Sequence, residues 1–133
     1  MYLRFEMSKL LRPDKKDVFL NYKIWLSGLV GDGRVDDITY NLLSLIHQKG
    51  SLKAASEALG ISYRKAWGDI QEAEKILGYS LIDRQRGGKD GGFSNLTPAA
   101  TRLLEAYRAL QQKFDDSVEE AFEAFRQKLK NNQ

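Results

Sequence analysis

Two serines and two glycines constrain this chain more than any other feature: Ser51, Gly60, Ser62 and Gly78, in that order. A serine before a helix accepts a hydrogen bond from one of the first free backbone NH groups, and a glycine after it takes the left-handed conformation that stops it. The spacing therefore predicts a short helix between Ser51 and Gly60 and a longer one between Ser62 and Gly78. On the first, Leu52, Ala55 and Leu59 share one side; on the second, Tyr63, Ala66, Trp67, Ile70, Ala73 and Leu77 recur at steps of three and four. That period belongs to a helix with one face in a core. Only the Gly60-Ile61 turn separates them, so the helices must cross steeply, with Ala55, Leu59, Ile61 and Ala66 buried at the crossing. Two helices joined by a glycine-containing turn of about three or four residues form a helix-turn-helix.

The flanking segments supply the rest of a domain. Val18, Leu20, Tyr22, Ile24 and Leu26 alternate, predicting one half-buried strand with Phe19 and Trp25 on its other face. Gly31-Asp32-Gly33 then predicts a tight turn and a short return strand. Asp36 or Asp37 caps a first helix carrying Ile38, Leu42, Leu45 and Ile46 and ending at Gly50. Residues 81–98, "LIDRQRGGKDGGFSNLTP", read as a strand, a glycine loop and a return strand, after which Thr97-Pro98 starts a last helix.

The stripe of that helix runs Ala100, Leu103, Tyr107, Leu110, Phe114, Val118, Ala121, Phe125 and Leu129. At about 1.5 Å per residue it reaches on the order of 45 Å, further than so small a domain can cover. Part of it therefore needs a second surface. Packing back on the N-terminal strand, whose Tyr22 and Trp25 need cover, is one solution. A twofold dimer is the stronger one, and the dimerisation residues expected on it are Leu103, Tyr107, Leu110, Phe114, Val118, Phe122 and Phe125. The expected architecture is mainly α with small β: a winged helix-turn-helix with an N-terminal β-hairpin and a long C-terminal dimerisation helix. Residues 1–17 are expected to be an arm, 18–97 the winged helix-turn-helix domain and 98–133 the long helix.

Composition excludes more than it selects. A chain of 133 residues with 42% hydrophobic content can fill a single core. With no cysteine it has neither disulfides nor thiolate metal sites. No apolar run is long enough for a membrane span or a secretory signal, so a cytoplasmic protein without membrane contact is expected. The single histidine, His47, lacks the partners that acid-base or metal chemistry needs, and Asp115, Asp116, Glu119, Glu120 and Glu123 read as a solvated helix face. No nucleophile, base and oxyanion donor can be assembled, so neither an enzyme nor a cofactor is expected. The 21 Lys and Arg against 18 Asp and Glu leave a net charge of +3, too little to choose a partner without asking where the charges stand.

Two of them stand at an unfavourable place. Arg64 and Lys65 fall in the first turn of the helix after Ser62, on the side away from Ala66 and Ile70. Cations there oppose the helix dipole by about 0.3–1 kcal/mol each, so a helix shaped only for packing would sooner carry acids. In a helix-turn-helix these N-terminal residues enter the major groove, where arginine can bond guanine O6 and N7. Between Arg84 and Lys89 there are three bases and no acid, with Gly87 and Gly88 among them, which suits a wing lying on phosphates. The candidate DNA contacts are Ser51, Lys53, Ser62, Tyr63, Arg64, Lys65, Asp69, Arg84, Arg86, Gly87, Gly88 and Lys89.

The stretches "GSLKAASEALGISYRKAWGDI", "LIDRQRGGKDGG" and "LTPAATRLL", in this order and spacing, resemble the N-terminal DNA-binding domain of ModE-type molybdate-responsive transcription regulators, itself similar to the winged helix of LysR-type regulators. The resemblance runs from about residue 18 to 110, and Asp90 and Phe93 depart from the family's more uniformly glycine wing. It implies a homodimer that binds operator DNA, with Ser62, Tyr63, Arg64 and Lys65 at the groove and phosphates and Gly87, Gly88 and Lys89 at the wing tip. The oxyanion-binding domains of those regulators are not expected within 133 residues, so either a separate oxyanion-sensing protein is the partner that supplies the sensor, or the protein responds to something else or to nothing. The expected function is a sequence-specific transcription regulator linked to molybdate. The alternative is a winged-helix protein-interaction module with no specific DNA site.

Overall fold

The computed structural model describes residues 3–5, 18–84 and 94–131. In chain order the elements are β1 (Leu3–Phe5), β2 (Leu20–Tyr22), β3 (Leu26–Ser27), β4 (Arg34–Val35), α1 (Asp37–Lys49), α2 (Leu52–Leu59), α3 (Tyr63–Leu77), β5 (Ile82–Arg84), β6 (Ser94–Leu96) and α4 (Pro98–Asn131). The strands pair as three separate two-stranded antiparallel ladders, β1–β2, β3–β4 and β5–β6. The chain divides into two compact units: Ile24–Tyr107, and Met1–Lys23 together with Arg108–Gln133. The division falls inside α4, after Tyr107, whereas the sequence reading placed a boundary before Pro98.

In the unit Ile24–Tyr107 the caps are those the sequence specifies. The Asp36 carboxylate accepts from Thr39 N, Ser51 Oγ from Ala54 N at 3.0 Å, Ser62 Oγ from Lys65 N at 3.0 Å and Thr97 Oγ1 from Ala100 N at 3.1 Å. Each cap satisfies an NH group that the helix itself leaves free. Gly50, Gly60 and Gly78 end α1, α2 and α3 in the left-handed region. The buried centre joins Leu42, Leu43 and Ile46 of α1, Leu52 and Ala55 of α2, Ala66, Ile70 and Ala73 of α3, Leu81 and Ile82 at the wing's base, and Ala100 and Leu104 of α4. Leu59, Ile61 and Trp67 pack partly buried against it. The alanines at 55 and 66 are fully buried, as close helix crossing requires.

Three expectations change. The single strand over 18–26 is two, because Leu20–Tyr22 pairs with β1 whereas Leu26–Ser27 pairs with β4 across the turn at Gly31. Trp25, between them, is half-exposed, with the Arg34 guanidinium 5.6 Å from its ring centre. The buried face of α1 is also wider than its four-residue stripe, taking in Thr39, Tyr40 and Leu43, since this helix meets α2, α3, β4 and β6. Tyr40 stacks on Tyr107 at 3.5 Å between ring centres, and burial, reinforced by Tyr107, Tyr79 and Asp36, pushes its hydroxyl up to about 12. Finally, Tyr63 does not join the core but is 51% exposed. It opens α3, and helical side chains lean toward the N-terminus, so its ring extends beyond the packed turns.

In the unit formed by Met1–Lys23 and Arg108–Gln133, β1 and β2 pair with Leu3 opposite Tyr22 and Phe5 opposite Leu20. The Tyr22 hydroxyl donates to the Asp115 carboxylate, and Gln111 Nε2 donates to the Tyr22 hydroxyl at 3.2 Å and to Asp115 at 3.0 Å. The helix thus packs back on the N-terminal strand through Tyr22, while Trp25 belongs to the other unit. Phe122 is only 4% exposed and stacks on Phe125.

Candidate nucleic-acid interface

The helix-turn-helix is held by short-range bonds that leave its outer surface free of structural duty. The Gly60 and Ile61 amides donate to Glu57 O and Ser56 O, closing the turn and fixing where α3 begins. Ser62 then accepts from Lys65 N, so the cap and the basic pair lie within one turn of each other. At about 3.6 residues per turn, the burial of Ala66, Ile70 and Ala73 turns Arg64, Gly68, Gln71 and Lys75 to the opposite side. All four are exposed, and the first turn of α3 contains no acid.

Lys65 is exposed as well, but its ammonium pairs with Asp69 at 3.3 Å. Such an exposed pair one turn apart is worth only about 0.3–0.5 kcal/mol. The pair therefore costs little to break, and it lays the lysine along the helix. Further along this same flank α3 is structural: Ile76 lies against Gly28, and Glu72 occupies the space that a Cβ on Gly33 would need.

The wing's base is tied to the first two helices. Ser94 N donates to Gly50 O at 2.9 Å, placing the return strand β6 beside the start of α2, where Ser51 caps and Lys53 is exposed. Thr97 closes the other end of the ladder, its NH donating to Leu81 O at 3.0 Å and its hydroxyl to Ser80 O at 2.8 Å. The Glu74 carboxylate accepts from Leu81 N at 2.8 Å, anchoring the first wing strand to the end of α3. Arg84 pairs with Ser94 as the last described rung. Arg86, Gly87, Gly88 and Lys89 lie outside the described residues, as do Asp90 and Phe93.

The Ser51 and Ser62 hydroxyls cap helices, and Tyr63, Arg64 and Lys65 are exposed. Gly68 was not among the residues singled out from the sequence, although a glycine within a helix is itself a signal. Of the expected dimerisation residues, Leu103 and Tyr107 pack on the core of the Ile24–Tyr107 unit and Phe122 is buried in the other unit. Leu103 and Tyr107 are thus partly covered and Phe122 almost wholly so within one chain. Leu110, Phe114 and Phe125 remain 40%, 45% and 50% exposed, with Val118 intermediate.

Among the described residues no three acidic, histidine or cysteine side chains gather as a metal site, and no helix is long and apolar enough to cross a membrane.

A glycine-turned helix pair whose second helix presents cations at its start, followed by a two-stranded ladder and a further helix, is a winged helix-turn-helix. Residues 40–101 match the family described as bacterial regulatory helix-turn-helix protein, lysR family. The chain is 40% identical over 80 residues to the molybdenum transport protein ModE of Herbaspirillum seropedicae, a match covering 60% of this chain and 30% of that protein. It is 38% identical over 72 residues to the DNA-binding transcriptional dual regulator ModE of Escherichia coli K12, covering 54% and 28%. The matches thus span less than a third of these relatives' length. Among solved structures, the CbnR DNA-binding domain in complex with DNA aligns with a TM-score of 0.52 at 23% identity, over 65% of this chain and 93% of that one, which supports the fold.

Proposed function

We propose that this protein is a DNA-binding transcription regulator linked to molybdate, in which α3 enters the major groove and the wing follows the phosphates. The observation that carries this reading is the exposed Arg64 and Lys65 in the first turn of α3, where a helix without an anionic partner gains nothing from them. Arg64 is the base reader, Lys65 and Lys53 meet phosphates, and Arg84, Arg86 and Lys89 extend the phosphate track along the wing. Ser51, Ser62, Tyr63 and Asp69 complete the contact surface, Tyr63 by apolar contact and Asp69 by positioning Lys65. Gly87 and Gly88 let the wing's backbone approach the duplex.

The protein acts as a twofold dimer through Leu110, Phe114, Val118 and Phe125, presenting two α3 helices to a palindromic site. The sequence similarity to ModE proteins supports the link to molybdate, and a separate oxyanion-sensing protein would supply the signal. Selection of bound fragments from genomic DNA, with and without molybdate, tests the reading. Recovery of a palindromic site that Arg64→Ala and Lys65→Ala no longer bind supports it.

A protein-interaction module is favoured by one observation, the almost fully exposed Leu29 and Val30 at the tip of the β3–β4 hairpin. Salt separates the two readings. DNA affinity that falls steeply with ionic strength supports the regulator, and no measurable affinity at low salt supports the module.

A further inference from the structure

Gly68 has no explanation inside the chain. Its φ is not left-handed, unlike that of Gly31, Gly50, Gly60 and Gly78. A Cβ built on it meets no heavy atom within 4 Å, so space does not demand glycine either. Gly33 makes the contrast, because the Glu72 side chain fills the place its Cβ would take. Within a helix, glycine is the least favourable residue after proline, since it loses the most conformational freedom and adds no packing. The fold would be better served by almost any other residue at 68.

Its position suggests what glycine is for. Ala66, Ile70 and Ala73 mark the buried side of α3, and at about 3.6 residues per turn Gly68 lies nearly opposite them, at the crest of the exposed surface. Arg64 is one turn before it and Gln71 almost one turn after. A helix with its side chains is about 10–12 Å across and the major groove about 12 Å wide, so the residue at the leading crest sets how deep the helix can sit.

We propose that Gly68 is the point at which α3 approaches the floor of the major groove most closely, its bare backbone lying against base-pair edges. The notch left by the missing side chain is shaped for a small apolar projection, and the thymine methyl is the one that the groove offers. Arg64 and Gln71 reach bases on either side because nothing at 68 holds the helix away. This assignment rests on the DNA-binding reading of α3, and it makes Gly68 a specificity-determining residue with no charge or hydrogen bond of its own.

The test compares Gly68→Ala with Arg64→Ala, using a duplex selected by the wild-type protein from a random-sequence pool. Gly68→Ala should raise the Tm by about 3–6 °C through helix propensity. It should nevertheless weaken binding to the selected duplex by about tenfold or more, because the added methyl group displaces the helix from bases it reads. If Gly68→Ala binds within about twofold of wild type while Arg64→Ala loses binding, the Gly68 assignment fails and the DNA reading stands. If neither variant changes binding, the reading of α3 fails and takes the assignment with it. A lowered Tm for Gly68→Ala would place the need for glycine in the fold and overturn the proposal.

Discussion

Replacing Arg64 and Lys65 separately should divide folding from binding, in opposite directions. For Arg64→Ala the fold loses a cation that opposes the α3 dipole, so stability should hold or rise by about 0.3 kcal/mol, the low end for an exposed site. For Lys65→Ala the lost pair with Asp69 costs about 0.3–0.5 kcal/mol. Relief of the dipole returns about as much, and the net change should be near zero. Binding should respond quite differently. A good arginine–guanine contact discriminates by about 1–3 kcal/mol, and a twofold dimer makes it twice, so Arg64→Ala should raise Kd by about 30-fold at the low end. On the proposed function Lys65 meets a phosphate in each of two half-sites, so Lys65→Ala should flatten the dependence of log K on log salt by about 1.8. Thermal melting and fluorescence anisotropy between about 50 and 200 mM salt measure both properties on the same preparations. Destabilisation by more than about 1 kcal/mol in either variant would mean that these side chains pack rather than read, and the dipole reasoning would be refuted.

Leu42, fully buried at the centre of α1, should cost about 2–5 kcal/mol when replaced by alanine, read as a shift in the urea midpoint. Tyr40 carries a pH dependence: its hydroxyl is pushed up to about 12 from 10.0, so the tyrosine of the unfolded chain ionises first and stability is lost as pH rises from about 10 through 12. Tyr40→Phe should lack that part of the alkaline loss, on the order of 2 kcal/mol, when the two proteins are melted across this range. Phe114→Glu places a charge on the exposed stripe of α4 and should shift a dimer toward monomer in sedimentation equilibrium, leaving the helical circular dichroism unchanged.

How far the molecule was legible depends on how far apart the deciding atoms stand. Asp36, Ser51, Ser62 and Thr97 each accept a hydrogen bond from a backbone NH three residues on. Gly50, Gly60 and Gly78 end helices by their own φ. Those decisions are made within one turn, so four helices, the tight turn and the basic start of α3 could be read directly. The alternation from Val18 to Leu26 was equally plain but misled, because strand partners are chosen at a distance, and β1 and β4 took different ends of it.

The apolar pattern by itself determined that α4 would carry a stripe and that α3 would turn Arg64 away from Ala66. Tertiary structure alone decided which apolar residues were covered: Leu103 and Tyr107 in part by one unit's core, Phe122 almost wholly within the other, while Tyr63, Leu110 and Phe114 stayed exposed. It also showed that nothing inside the chain crowds Gly68. Periodicity fixes the direction in which a side chain points, but whether another element stands there depends on chain segments far away in sequence, and that is settled only when the whole core closes.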